Sequence, residues 1–137
     1  MQFSSVAERH GPRIEVAFNI DGLFFGFNGT SFGILYKSHS VDTWYPQTTW
    51  NIDKQNGAGT ASGQTLDPTK LNVFQVKYQY LGGGNMFFYV LNSQTGRFDL
   101  VHIIRNANTA TQQNFRNPSM NFIMTSYNSS GSTAVCK

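Results

Sequence analysis

Ile14, Val16, Phe18 and Ile20 alternate with Glu15, Ala17 and Asn19, and this two-residue period predicts a strand with one buried face. Two short apolar runs follow, Leu23-Phe24-Phe25-Gly26-Phe27 and Phe32-Gly33-Ile34-Leu35-Tyr36, joined by Asn28-Gly29-Thr30-Ser31. Asn-Gly tolerates positive φ angles, so the two runs read as a β-hairpin. Gly26 and Gly33 inside the runs predict a bulge or a close packing contact. From Lys37 to Leu71 the chain turns polar, and it is expected to be mostly loop with short strands near Thr43 to Tyr45 and Thr48 to Asn51. Asp67-Pro68-Thr69-Lys70 has turn chemistry and should precede a long strand, in which Phe74, Val76, Tyr78 and Tyr80 alternate with Gln75, Lys77 and Gln79. Gly82 to Asn85 then turns the chain into Met86 to Leu91, an unbroken apolar run that fits a strand buried on both faces. Asn92 to Gly96 is the next turn, Arg97 to Ile104 the next strand, and Met120, Phe122 and Met124 mark one face of a last strand.

Nothing in the chain repeats apolar residues at helical spacing over three turns; at most one or two short helical turns are expected, near Thr109 to Gln113. The fold class is therefore all-β, an antiparallel two-sheet sandwich or jelly roll with about seven strands and little or no helix, because a single sheet this apolar would leave one greasy face bare. A length of 137 residues suits one domain, 1–137, with 1–12 and 128–137 as loose termini.

Composition sharpens this picture. Twelve Phe, 6 Tyr and 2 Trp give an aromatic core, while charged residues are only 12% of the chain, so the polar surface must come from Asn, Gln, Ser, Thr and Gly. The net charge of +3 arises from singly scattered basic residues, which argues against a nucleic-acid partner unless Lys37, Lys77, Arg97 and Arg105 cluster in space. Cys136 is the single cysteine, so no internal disulfide forms. The chain shows neither a signal-peptide pattern nor a membrane span, and a cytosolic origin with no membrane partner is expected. Asn28-Gly29-Thr30 and Asn128-Ser129-Ser130 match the glycosylation sequon, a pattern that Asn-rich chains produce by chance.

Catalytic chemistry finds little support. A glycosidase needs two carboxyl groups facing each other across the sugar bond, yet Glu8 and Glu15 are the only glutamates, and Asp21, Asp42, Asp53, Asp67 and Asp99 sit mainly beside turn signals. His10, His39 and His102 lack metal-ligand spacing, and His102 reads as a strand residue with a satisfied hydrogen bond. Gly82-Gly83-Gly84 lacks the lysine of a phosphate loop. The expectation is no enzyme, no cofactor and no metal. One constellation remains: Trp44, Tyr45, Trp50, Asn51 and Asp53 combine flat aromatic faces with hydrogen-bonding groups, as a carbohydrate or partner contact requires. The competing reading, placed ahead of it, has Trp44 and Trp50 plugging one end of the sandwich as core residues.

The string from Asp21 through Gly26-Phe27-Asn28-Gly29-Thr30-Ser31-Phe32-Gly33-Ile34-Leu35 resembles the signature of a concanavalin-like sandwich domain in structural proteins of large DNA viruses and tailed phages. Further blocks in the same order are Thr43 to Gln47 with Trp50 to Lys54, Ser62 to Lys70 running on through Tyr78 to Gly82, and His102 to Asn108 followed by Asn117-Pro118. The resemblance spans roughly residues 13 to 125. It implies a non-catalytic virion structural protein, a minor capsid or surface-appendage component that meets other virion proteins; the alternative is a lectin-like module attaching to host glycan. Family members carry more chain before the first block, where this sequence has about twenty residues. An exposed strand edge completed by a neighbouring copy is therefore also expected.

Overall fold

The computed structural model describes residues 21–57, 60–79 and 83–117. Within them the chain forms two three-stranded antiparallel sheets. The first contains β1 (Gly22–Asn28), β2 (Ser31–Ser38) and β3 (Val41–Pro46), in that spatial order. The second contains β4 (Phe74–Lys77), β5 (Met86–Leu91) and β6 (Phe98–Ile104). The one helical element among the described residues is a 3-10 turn, Gln47–Thr49. The class is thus all-β and sandwich-like, in keeping with the two-residue periodicity. The expected strands at 14–20 and 120–125, and the termini, lie outside the described residues.

The two sheets meet through aromatic rings. Phe25 of β1 stacks on Phe74 of β4 at 4.5 Å between centroids and meets Phe88 of β5 edge-on at 5.6 Å. Phe32 and Trp50 complete this group, and Ile34, Val76, Met86, Val90, Val101 and Ile104 extend the core around it. In β4 and β5 each inward residue, Phe74 and Val76 or Met86, Phe88 and Val90, lies two positions from the next, as strand geometry demands. Ring pairs of this kind add roughly 0.5–1.5 kcal/mol each beyond the area they bury.

Local chemistry explains most of the turns. Gly29 and Thr30 link β1 to β2 between the paired residues Asn28 and Ser31, and of the Asn-Gly pair only Gly29 has a positive φ, 63°. Glycine at the first loop position is what a type II′ hairpin requires. Gly26 and Gly33 sit directly opposite each other without a bulge. Gly33 is the close contact: a Cβ there would strike the Tyr45 carbonyl oxygen and stand 2.9 Å from Pro46 Cα. In the turn after β5, Asn92 Oδ1 accepts from the backbone N–H groups of Gln94 and Thr95, while Asn92 Nδ2 donates to Asp99.

Several expectations need correction. The short strand near Thr43 exists and is longer than expected, as β3, but residues 48 and 49 lie in the 3-10 turn instead of a second strand. Pro46 enters that turn at φ −61°, Thr49 Oγ1 donates to the Pro46 carbonyl, and Trp50 N–H closes back on Gln47. β4 ends at Lys77, so the long strand is a short one. β5 is not buried equally on both faces: Met86, Phe88 and Val90 are buried, whereas Phe87, Tyr89 and Leu91 are half-buried on the other side. Near Thr109 the chain makes one isolated turn, with Thr109 and Ala110 N–H both bonding the Asn106 carbonyl, within the limit of one or two short helical turns expected there. A β-bulge does occur in the second sheet, in β6, where Phe88 pairs with His102 and Tyr89 with Leu100, leaving Val101 as the extra residue.

Candidate functional site

The five residues singled out in the polar segment separate into different environments. Trp50 is a core residue at 2% exposure, its indole N–H donating to the Tyr45 carbonyl at 3.3 Å. Asp53 is also buried, accepting from Gln55 N–H and Ser62 N–H at 2.7 Å each. Burial pushes its carboxyl up, but the hydrogen bonds from Ser62, Gln55 and Thr60 outweigh that and leave it below the usual carboxylate range. It organises a loop by holding backbone donors.

Asn51 occupies the edge of the second sheet. Its Nδ2 donates to the Ile103 carbonyl at 2.8 Å and its Oδ1 accepts from Ile103 N–H at 2.9 Å, so one side chain imitates a strand partner. Ile52 and Asp53 N–H both bond the Val101 carbonyl, and Asn51 N–H donates to His102 Nδ1 at 3.2 Å. Residues 51–53 therefore strap the outer edge of β6, which would otherwise offer unpaired backbone groups. Tyr45 is half-buried against the core, with its ring 4.8 Å from that of His102; burial pushes its phenol pKa up, and the neighbouring Tyr36 adds to the rise.

Trp44 is half-buried and faces away from the core. Strand register places Phe24, Leu35 and Trp44 in one row across the outer face of the first sheet. The Trp44 ring lies over Gly33, where a Cβ would come within 2.9 Å of Cζ2, and the Phe24 ring lies over Gly22 in the same manner. Glycine on the outer face thus makes room for rings to lie against the sheet. On one flank of the row, Lys37 pairs with Asp42 at 3.2 Å.

The second sheet repeats the theme. Tyr89 opposes Leu100, Phe87 opposes Ile103 and Leu91 opposes Phe98, all on the face turned from the core and all half-buried. Lys77 Nζ stands 4.8 Å over the Tyr89 ring, a cation held on an aromatic face. Outward positions of a sandwich are ordinarily polar. Here both sheets present apolar or aromatic side chains there, and these residues, apart from Trp44, were not among those singled out. Their signal was present in the unbroken apolar runs of β1, β2 and β5, where both strand faces are greasy.

A second polar cluster ties the end of the described chain to the first sheet. Asp21 is buried and accepts from His39 N–H, from Arg116 N–H at 2.6 Å and from the Arg116 guanidinium at 3.1 Å. Burial raises its pKa, and these donors more than reverse the effect, leaving it below the ordinary value. The Asn114 carbonyl accepts from Tyr36 and Ser38, while its Nδ2 donates to the Gly84 carbonyl at 2.8 Å, linking the first sheet to the loop before β5. Among the described residues no three His, Cys, Asp or Glu side chains converge as a metal-binding group.

Comparison with protein-family models, with curated proteins and with solved structures returns no match.

Proposed function

We propose that this chain is a non-catalytic structural component of a virus particle, a jelly-roll or concanavalin-like sandwich that works by protein–protein contact. The observation that carries the reading is the apolar character of both outer sheet faces, Phe24, Leu35 and Trp44 on one and Phe87, Tyr89, Leu91, Phe98, Leu100 and Ile103 on the other. These side chains are half-buried, and rows of them on faces turned from the core offer a place where another molecule packs. The virion context rests on the sequence resemblance. The buried acidic groups support a non-catalytic reading, since Asp21 and Asp53 hold backbone donors. Partners in this reading are other virion proteins or a second copy, and the location is the particle. Purified particles should contain the chain at a fixed copy number after stringent salt washing; recovery only in the non-particle fraction of infected cells would refute the proposal.

A lectin-like attachment module is the second reading, favoured by the Trp44 ring lying over Gly33 on the sheet surface. Trp50 and Asp53 are buried, so a sugar would meet Trp44 with exposed groups around it. Glycan-array binding that is lost in Trp44→Ala with an unchanged melting curve would establish this reading, and no binding to any glycan would remove it.

A further inference from the structure

Two Asn-Gly pairs, Asn28-Gly29 and Asn56-Gly57, stand in opposite structural circumstances. Asn28 ends β1 at the hairpin tip and is exposed, and its carboxamide makes no hydrogen bond among the described residues. Gly29 lies in the two-residue loop outside the ladder, and its N–H has no acceptor among the described residues. Asn56 is exposed as well, but Gly57 is buried and its N–H donates to the Gln64 carbonyl at 3.1 Å, while Asn56 itself forms a bridge with Thr65. A Cβ on Gly57 would stand 2.9 Å from Thr65 Oγ1, which shows how closely this backbone is enclosed.

We infer that Asn28-Gly29 is a self-modifying site, at which the backbone converts Asn28 to aspartate and isoaspartate without an enzyme, while Asn56-Gly57 is held inert by its hydrogen bonds. The reaction needs only water. The Gly29 amide nitrogen attacks Asn28 Cγ and forms the new N–C bond; the Cγ–Nδ2 bond breaks, and ammonia leaves carrying the proton from the Gly29 amide. Water then opens the resulting five-membered imide at either carbonyl, giving aspartate or isoaspartate. Gly29 has no side chain to obstruct the attack, and hairpin tips open locally at small cost in free energy. At Asn56 the same attack requires breaking the Gly57 to Gln64 bond and lifting a buried backbone segment.

Alternation along β1 puts Asn28 on the same outer face as Phe24 and Gly26, so the product is a new carboxylate on that face, four residues along the strand from the Phe24–Leu35–Trp44 row. An isoaspartate also inserts an extra methylene into the backbone opposite Ser31, at the position that closes the hairpin.

The test is timed incubation of the purified full chain in warm, mildly alkaline buffer, followed by peptide mass mapping that separates aspartate from isoaspartate. In the native chain Asn28 is expected to gain the acid at least about tenfold faster than Asn56, the difference reflecting the opening that Asn56 requires. In concentrated urea the two rates should converge, which shows that the fold and not the flanking sequence sets the ratio. Equal rates in the native chain, faster conversion at Asn56, or a ratio that persists in urea would overturn the inference.

Discussion

His102 is buried in the β6 bulge, with the rings of Tyr45 and Phe88 beside it and Asn51 N–H donating to its Nδ1. That bond requires an unprotonated Nδ1, so the neutral ring carries its hydrogen on Nε2, which is buried and has no partner among the described residues. Burial, with the Arg105 cation adding to it, lowers the His102 pKa from 6.5 to about 4. The unfolded chain takes up this proton below its pKa of 6.5 and the folded chain does not, so the stabilising contribution is complete above that pH. It declines as pH falls toward about 4 and reaches a loss of about 3 kcal/mol there. Urea denaturation across this range should show the decline, and His102→Leu, though less stable at neutral pH, should show a flatter profile between the two values. Asp21 and Asp53, held below their ordinary pKa, add their own loss only below 3.8, as pH falls toward their folded values. Glycines supply a second contrast between single residues. Gly33→Ala drives a Cβ into the Tyr45 carbonyl and Pro46 and should cost about 2 kcal/mol or more, whereas Gly83→Ala meets nothing within 4 Å and should change the melting temperature little.

Among the elements, the strap at residues 51–53 shows why a strand can end a sheet without a further strand beside it. Asn51→Ala should cost about 1–2 kcal/mol, because the two Ile103 backbone groups lose a partner that water replaces only in part. Hydrogen exchange should accelerate at the Ile103 amide and leave Met86 to Val90 protected; no change at Ile103 would mean that the strap does not hold the edge. The strap also marks the limit of what the pattern of residues conveys. The β1–β2 hairpin and the β5–β6 pair were legible, since Asn28-Gly29 and Asn92 to Gly96 announce turns between alternating or apolar runs. The partnership of Asn51 with Ile103 was not, because the two lie 52 positions apart and a side chain amide that mimics backbone looks like any surface asparagine. The 3-10 turn is hidden for a related reason: Thr48, Thr49 and Trp50 have strand-like propensity, but Pro46 and the Thr49 hydroxyl fold the backbone onto itself. The constellation Trp44 to Asp53 was legible as unusual and not as to role, since the residues that plug the core and those that face outward share one composition.

For the whole molecule, the rings that join the sheets also make the fold depend on a few side chains. Phe25 touches Phe32, Trp50, Phe74 and Phe88, and Phe25→Ala should cost about 3–5 kcal/mol, read as a shift in the denaturation midpoint. Charged substitutions on the outer faces belong to a different class: Leu100→Lys or Leu35→Asp removes half-buried surface and should be far milder for folding. If these faces are contact surfaces, the same substitutions should be severe for assembly. The composition suits such a role, with 15% aromatic and only 12% charged residues leaving few ions to strip of water when a neighbour docks. Under the proposed function, the outer sheet faces are where this chain would meet its neighbours in a particle. The most direct test is a reconstruction of the assembled particle at side-chain resolution. The account predicts density for the two-sheet domain with the Phe24–Leu35–Trp44 row or the Phe87–Tyr89–Leu100 face packed against another subunit; a domain with both faces bare, or a particle without it, would contradict the account.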